Sequence, residues 1–142
     1  MKIYKRDGKR FVKMQDYTGM YLQNDWSFAE TCNENSIGIC VLQTTTFAKV
    51  ALFVEHRSTW ENCKSFCKSI QAHMPTREEL FIASKLIKNG TIKEDIYWTS
   101  EQANSNSAWY VYFHLDNSFG YCGSYIKSGD LSVLAFVDIP LA

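Results

Sequence analysis

Cysteines and histidines are the residues of this 142-residue sequence whose types and spacing best suit chemistry. Cys63 and Cys67 stand about one helical turn apart, and His73 follows six residues later. Two thiolates and one imidazole make an incomplete zinc site, because structural zinc takes four such ligands and the sequence nearby offers no fourth. A zinc site is therefore an alternative, and the favoured interpretation is that both cysteines are core side chains.

Arrangements suited to catalysis are also sparse. Cys122 and His114 could face each other across a hairpin as nucleophile and base, but an ordinary cross-strand pair is the favoured interpretation. Two adjacent acidic pairs, typical of helix starts and loops, are Glu78–Glu79 and Glu94–Asp95. The sequence contains no phosphate loop, dinucleotide fingerprint, nucleophile elbow or His-Glu-x-x-His motif. We therefore expect a protein that is not an enzyme, with no catalytic residue, no metal and no cofactor.

The charge balance weighs against nucleic acid as a partner. Lys+Arg and Asp+Glu each number 15, so the formal net charge is zero, whereas nucleic-acid binders carry a basic excess. The basic opening "KIYKRDGKR" is interpreted as an edge strand that its lysines protect from aggregation. No apolar run approaches the roughly 20 residues of a membrane span, and the opening residues lack the apolar segment of a secretory signal. We therefore expect no nucleic acid, no membrane insertion, and synthesis in the cytoplasm without a signal peptide.

Two helices are predicted, over residues 58–70 and 76–88. Ser58 with Glu61 has the spacing of a capping box, and Thr76 with Glu79 repeats it after Pro75. The first helix has a core-facing stripe at helical spacing: Trp60, Cys63, Cys67 and Ile70. Asn89-Gly90 closes the second helix in the manner usual for helix C-termini.

β-Strands are predicted before residue 57 and after residue 96, because both regions are rich in β-branched and aromatic residues. "AKVALFVEH" is nearly all apolar, which indicates a central strand buried on both faces. "AWYVYFHL" alternates instead. Its core-facing residues are predicted to be Trp109, Val111, Phe113 and Leu115. Its other face is predicted to be open and to hold Tyr110, Tyr112, His114 and Asp116.

The order of these elements, and the letters "TWENCKSFCKSIQAHMPTREEL", "YWTSEQ" and "AWYVYF", resemble the C-type-lectin-like domain. The resemblance is closest to its bacterial and phage branch, found at the end of collagen-like adhesins, and covers about residues 58–138. It implies an α+β fold of two helices packed on a mainly antiparallel sheet with hairpins. We predict a single domain over 1–142, in which a β-rich N-terminal extension at 1–45 precedes a C-type-lectin-like core at 46–142.

The sequence departs from that family in two ways. The family pairs a helix cysteine with one in the last strand, but here "LSVLAFVDI" has Phe136 near that place, so Cys67 lacks its usual partner. Calcium-dependent sugar binders carry Glu-Pro-Asn or Gln-Pro-Asp and then Trp-Asn-Asp, and none of these tripeptides occurs. We therefore expect mostly unbridged cysteines and a module that works without calcium.

The aromatic and polar open face of the predicted hairpins is the candidate ligand site. Tyrosine gives contact area at low entropy cost and asparagine gives adaptable hydrogen bonds, so the mixture suits binding. The alternative is that these tyrosines only cover the sheet against the N-terminal segment. The candidate ligand-binding residues are Trp98, Glu101, Asn104, Asn106, Tyr110, Tyr112, His114, Asp116, Tyr121 and Tyr125.

The expected function is that of a non-enzymatic recognition or assembly module. The resemblance and the missing signal favour a phage virion surface protein: a decoration, fibre-tip or baseplate-attached protein. Its partner would be a protein or glycan on a host surface, or another virion protein, with oligomerisation as part of a larger assembly. The alternative is an intracellular regulator or inhibitor that uses the same aromatic face against a protein.

Overall fold

The computed structural model of the chain describes residues 2–6, 9–13, 15–85, 92–114 and 117–141. These residues form an α+β structure with two helices, two five-stranded sheets that are mostly antiparallel, and one two-stranded hairpin. The α+β class is therefore confirmed. In chain order the strands are β1 (Lys2–Arg6), β2 (Lys9–Lys13), β3 (Tyr21–Gln23), β4 (Phe28–Ala29), β5 (Ser36–Gln43), β6 (Phe47–Leu52), β7 (His56–Ser58), β8 (Ile96–Gln102), β9 (Ser107–His114), β10 (Asn117–Ile126), β11 (Leu131–Val133) and β12 (Phe136–Pro140).

The first large sheet has the strand order β12–β6–β5–β3–β4, and all its pairings are antiparallel. In the middle of this sheet, Ala51 of β6 packs into one core cluster and Val50 into another, so β6 is a central strand buried on both faces, as predicted. Gly38 of β5 lies against it so closely that a Cβ atom there would be 2.6 Å from the Ala51 carbonyl oxygen. Because β5 and β6 pair, the residues on either side of position 45 share one sheet.

The second large sheet has the order β10–β9–β8–β11–β7, in which only the β11–β8 pairing is parallel among the described strands. Its central strands are covered on both faces. Val111 and Phe113 of β9 pack with Leu80 of the second helix, whereas Trp98 of β8 packs with Trp60 of the first helix. The sheet therefore lies between the two helices and offers an open face only towards its edge.

The first helix, α1 (Trp60–Ser69), begins later than the sequence predicted. Thr59 is its N-cap and accepts from the Asn62 N–H at 3.3 Å, so the predicted capping box of Ser58 and Glu61 is wrong. The reason is that Ser58 belongs to β7, where it pairs with Leu131. Thr59, the first residue after β7, therefore caps the helix instead.

The second helix, α2 (Arg77–Ala83), has the predicted capping box. The Glu79 N–H donates to Thr76 Oγ1 at 3.2 Å, and the Thr76 N–H donates to Glu79 Oε1 at 2.9 Å. The predicted extension to residue 88 and the Asn89-Gly90 terminus lie largely beyond Lys85, where the described residues break off until Ile92. Neither helix in the described residues is long and apolar enough to cross a membrane.

Candidate functional site

The face predicted to be open is divided into a buried end and an exposed end. Trp98 is 0% exposed, so its assignment as a surface ligand residue is wrong. Its Nε1 donates to the Ser58 carbonyl at 3.1 Å, and its ring packs against α1 with the half-buried Tyr110. The cause is that α1 covers the β8–β9 part of this face, which strand alternation alone does not reveal. Tyr110 also lies over Gly123, where a Cβ atom would be 2.7 Å from its hydroxyl oxygen.

The exposed end carries three rings that we call the aromatic row: Tyr121, Tyr112 and His114. Tyr112 and Tyr121 are paired across β9 and β10, and their ring centroids lie 6.4 Å apart. Tyr112 and His114 contact edge to face, with centroids 5.5 Å apart. Tyr121 is 57% exposed, which is more than most aromatic side chains of a folded protein. The structure therefore brings three of the predicted ligand residues together at a solvent-facing edge.

A cleft of about 670 Å³ adjoins the aromatic row. His114 Nε2 lies 3.7 Å from Glu94 Oε1, and Glu94 is one of the residues that line the cleft. The walls come from three separate segments, at residues 52–57, 92–97 and 132–134. Its volume lies within the usual range for small-molecule sites, about 300–1,000 Å³. His114 thus links the aromatic row to the cleft through its contact with Glu94.

Asp95 is a polar group of the cleft with several partners. Its carboxylate accepts from Ser132 Oγ at 2.5 Å and from the Ile96 N–H at 2.7 Å, and Arg57 Nη1 lies 3.6 Å away. Nearby, the Tyr97 hydroxyl donates to the Lys93 carbonyl at 2.6 Å, and burial raises the pKa of that hydroxyl far above its usual range. These bonds hold the cleft wall in place, while the Arg57 side chain stays about half-exposed to solvent.

The remaining candidate residues lie elsewhere. Asn104 and Asn106 are exposed in the turn that precedes β9, and the Asn106 N–H donates to Asn104 Oδ1 at 2.8 Å. His114 ends the same strand eight residues after Asn106, so about 26 Å of strand separates that turn from His114. Tyr125 is 44% exposed, and its ring centroid lies 6.1 Å from that of Trp98. Asp116 lies outside the described residues.

Glu101 holds the start of α2. Its carboxylate accepts from the Arg77 N–H at 2.7 Å and from Arg77 Nη2 at 3.1 Å, while the Arg77 guanidinium lies 4.4 Å from the Trp109 ring centroid. Trp109 is half-buried under Arg77, so the prediction that it lies in the core with Val111 is wrong. The backbone hydrogen bond from Arg77, followed by the guanidinium, lowers the pKa of Glu101.

This pair makes stability depend on pH. Folding lowers the pKa of Glu101, so its carboxylate adds to the free energy of unfolding at pH values above the pKa of the unfolded state. This stabilisation is lost as the pH falls through the lower pKa of the folded state. We expect Glu101→Gln to lower the free energy of unfolding by about 0.5–1 kcal/mol at pH 7. In urea titrations at a series of pH values from 7 to 2.5, the difference in unfolding free energy between wild type and variant should become smaller as the pH falls. Glu34→Gln, at an exposed loop position, is the control, and a deficit that persists unchanged at pH 2.5 would contradict the assignment.

The cysteines and histidines do not assemble into a reactive group. All five thiols are free, and Cys63 and Cys67 both face the core, as predicted. Cys122 pairs with Val111 and His114 with Asn117, which places Cys122 and His114 on opposite faces of the sheet. Among the described residues, no cluster of three or more His, Cys, Asp and Glu side chains could hold a metal.

The comparison with known families decides what this chain is related to. A family model described as a domain of unknown function (DUF8780) matches residues 53–135, which is more than half of the chain. The chain belongs to the DUF8780 family. The DUF8780 match takes in the aromatic row and every residue of the cleft wall except Leu52. No curated protein matches the sequence.

The cleft of this DUF8780 protein was missed by reasoning from the sequence. Its polar residues come from distant segments: Arg57 precedes α1, Glu94 and Asp95 precede β8, and Ser132 lies in β11. The only local signal was the adjacent Glu94–Asp95 pair, which was interpreted as loop charge.

Proposed function

We propose that this DUF8780 protein is a non-enzymatic recognition module whose ligand surface is the aromatic row together with the adjoining cleft. The observation that carries the proposal is the contact from His114 to Glu94, which joins three partly exposed rings to a cleft of about 670 Å³. Interfaces are enriched in tyrosine, which buries a large area at the cost of few rotatable bonds.

The polar groups of the cleft support recognition. Asp95 already accepts two hydrogen bonds and faces Arg57, so its role is to hold the wall and orient the guanidinium. The cleft lining includes both acidic and basic side chains, with Glu55, Arg57 and Lys93 among them. A ligand with both donors and acceptors, such as a polypeptide or a glycan, would match this surface.

The fold we propose is C-type-lectin-like. Its support is the order of elements in the described residues: strands, two capped helices, a strand containing a tryptophan, and then a hairpin. In that fold family the hairpins after the second helix form the ligand face, and the aromatic row lies on the β9–β10 hairpin. The resemblance to the bacterial and phage branch supports a place on a phage virion, where the ligand would be a host surface or another virion protein.

The experiment compares two immobilised probes: the cell envelope of the host bacterium and purified virions. We expect saturable binding to one of them. Tyr121→Ala should weaken that binding by about 1–3 kcal/mol, because an interface tyrosine would lose its contacts. Trp26→Ala is the matched control, since Trp26 is 60% exposed but lies between β3 and β4 in the other sheet.

Mass spectrometry of purified particles tests the location. Recovering the chain in stoichiometric amounts supports the virion. The intracellular regulator would be favoured by two findings together: the protein binds neither probe, and it is found only in the cytosol, bound to another protein. Equal loss of binding in the Tyr121→Ala and Trp26→Ala variants would contradict the proposed surface.

A further inference from the structure

A second cavity, of about 250 Å³, lies beside α1 and shares no lining residue with the cleft. This volume is equivalent to about eight water molecules. Its apolar part comes from Trp60, Ala72 and Met74, and Ser100 of β8 lies at its edge. The remaining lining residues are all basic: Lys64, Lys68 and His73.

All the ionisable side chains that line this cavity are basic. Neither Lys64 nor Lys68 has a carboxylate of a described residue within 4 Å. Of the nearby acids, Glu101 pairs with Arg77 and Asp138 pairs with His73 at 3.1 Å, while Glu61, one turn before Lys64 on α1, lies beyond 4 Å from both ammonium groups. The two ammonium groups therefore lie at this cavity without a direct ion pair to a described carboxylate.

Helix stability alone does not account for both lysines. Lys68 lies in the last turn of α1, where a cation interacts favourably with the helix dipole. Lys64 lies one turn earlier and lacks that benefit, and like charges four residues apart repel along a helix. Its ammonium is 5.2 Å from the Trp60 ring centroid, at the cavity. This cation–π contact holds the Lys64 ammonium at the cavity, where an anion could interact with it and with Lys68.

We propose that this cavity binds a small organic acid, with its carboxylate between Lys64 and Lys68 and its apolar part against Trp60 and Met74. A charge-assisted hydrogen bond from each ammonium would hold the carboxylate. The Ser100 hydroxyl, at the cavity edge, is a further donor. A purely inorganic anion would gain the charge but leave the apolar wall uncovered, so the organic acid is preferred.

The test is a titration of the ¹⁵N-labelled protein followed by NMR. The probes are benzoate, benzylamine as its cationic analogue, and inorganic phosphate as an anion without an apolar part. We expect saturable benzoate shifts at the amides of Ala72 and Ser100, at least tenfold weaker binding of phosphate, and no saturation with benzylamine.

Variants separate a site from general attraction to lysines. The double variant Lys64→Gln/Lys68→Gln should weaken benzoate binding at least tenfold, whereas Lys85→Gln, at an exposed position after α2, should change it less than twofold. Ser100→Phe fills the cavity and keeps both lysines, and it should also weaken binding at least tenfold. Ser100 is exposed, so this variant should still fold.

Several outcomes would overturn the proposal. These are benzoate shifts that do not saturate, benzylamine or phosphate binding as tightly as benzoate, and unchanged benzoate binding in the double variant or in Ser100→Phe. None of these outcomes tests the proposed ligand surface at the aromatic row, because the two sites share no residue.

Discussion

Trp98→Ala is expected to lower the free energy of unfolding by about 3–5 kcal/mol, as buried tryptophans do when truncated. Trp98 is fully buried between the second sheet and α1, and its indole N–H satisfies the Ser58 carbonyl. The change would leave a large cavity and a carbonyl without its donor. Equilibrium unfolding in urea, monitored by circular dichroism, measures the loss.

Trp26→Ala is the matched control for this measurement. Trp26 is 60% exposed in a turn, so its loss should change stability by about 0.5 kcal/mol or less. If Trp98→Ala also cost less than about 1 kcal/mol, Trp98 would lie at the surface, and the packing of α1 on the sheet would be wrong.

The three buried thiols are expected to react with a thiol reagent at least about a hundredfold more slowly than the two exposed ones at pH 8. Burial raises the pKa of the Cys40 and Cys63 thiols to about 11 and that of Cys67 to about 12. At pH 8 a thiol with a pKa of 11 is only about one-thousandth thiolate, which is the reactive form. Cys32 and Cys122 are exposed, so two fast equivalents should appear in the native protein.

Denaturation provides the control for the thiol experiment. In guanidinium without reductant, all five thiols should react at similar rates, because the buried environment is gone. Recovering a single thiol would indicate two disulfides and an oxidising history. Five fast thiols in the native protein would contradict the buried positions of Cys40, Cys63 and Cys67.

Much of the fold could be predicted from local patterns. The second capping box fixed the start of α2, because Thr76 and Glu79 satisfy each other's backbone within one turn. The first capping box failed because a long-range pairing, Ser58 with Leu131, takes the same backbone. Local sequence carries no information on such a partner.

The candidate site was predicted only in part for a related reason. Alternation along β9 correctly placed Tyr112 and His114 on one face, but it could not show that α1 covers Tyr110 on that face. The cleft depends on segments that meet only in the folded chain, so Arg57, Asp95 and Ser132 had no shared signal.

The central claim is that the aromatic row is a binding surface and not internal cover. The most direct test measures, on the same Tyr112→Ala sample, both unfolding in urea and binding to whichever probe, envelope or virion, retains the wild type. We predict binding weakened by about 1–3 kcal/mol with stability changed by less than about 1.5 kcal/mol. Phe113→Ala, at a fully buried position on the same strand, should instead lose about 3–5 kcal/mol of stability. If Tyr112→Ala unfolds as readily as Phe113→Ala, or binds its probe as tightly as the wild type, the aromatic row is not the ligand surface.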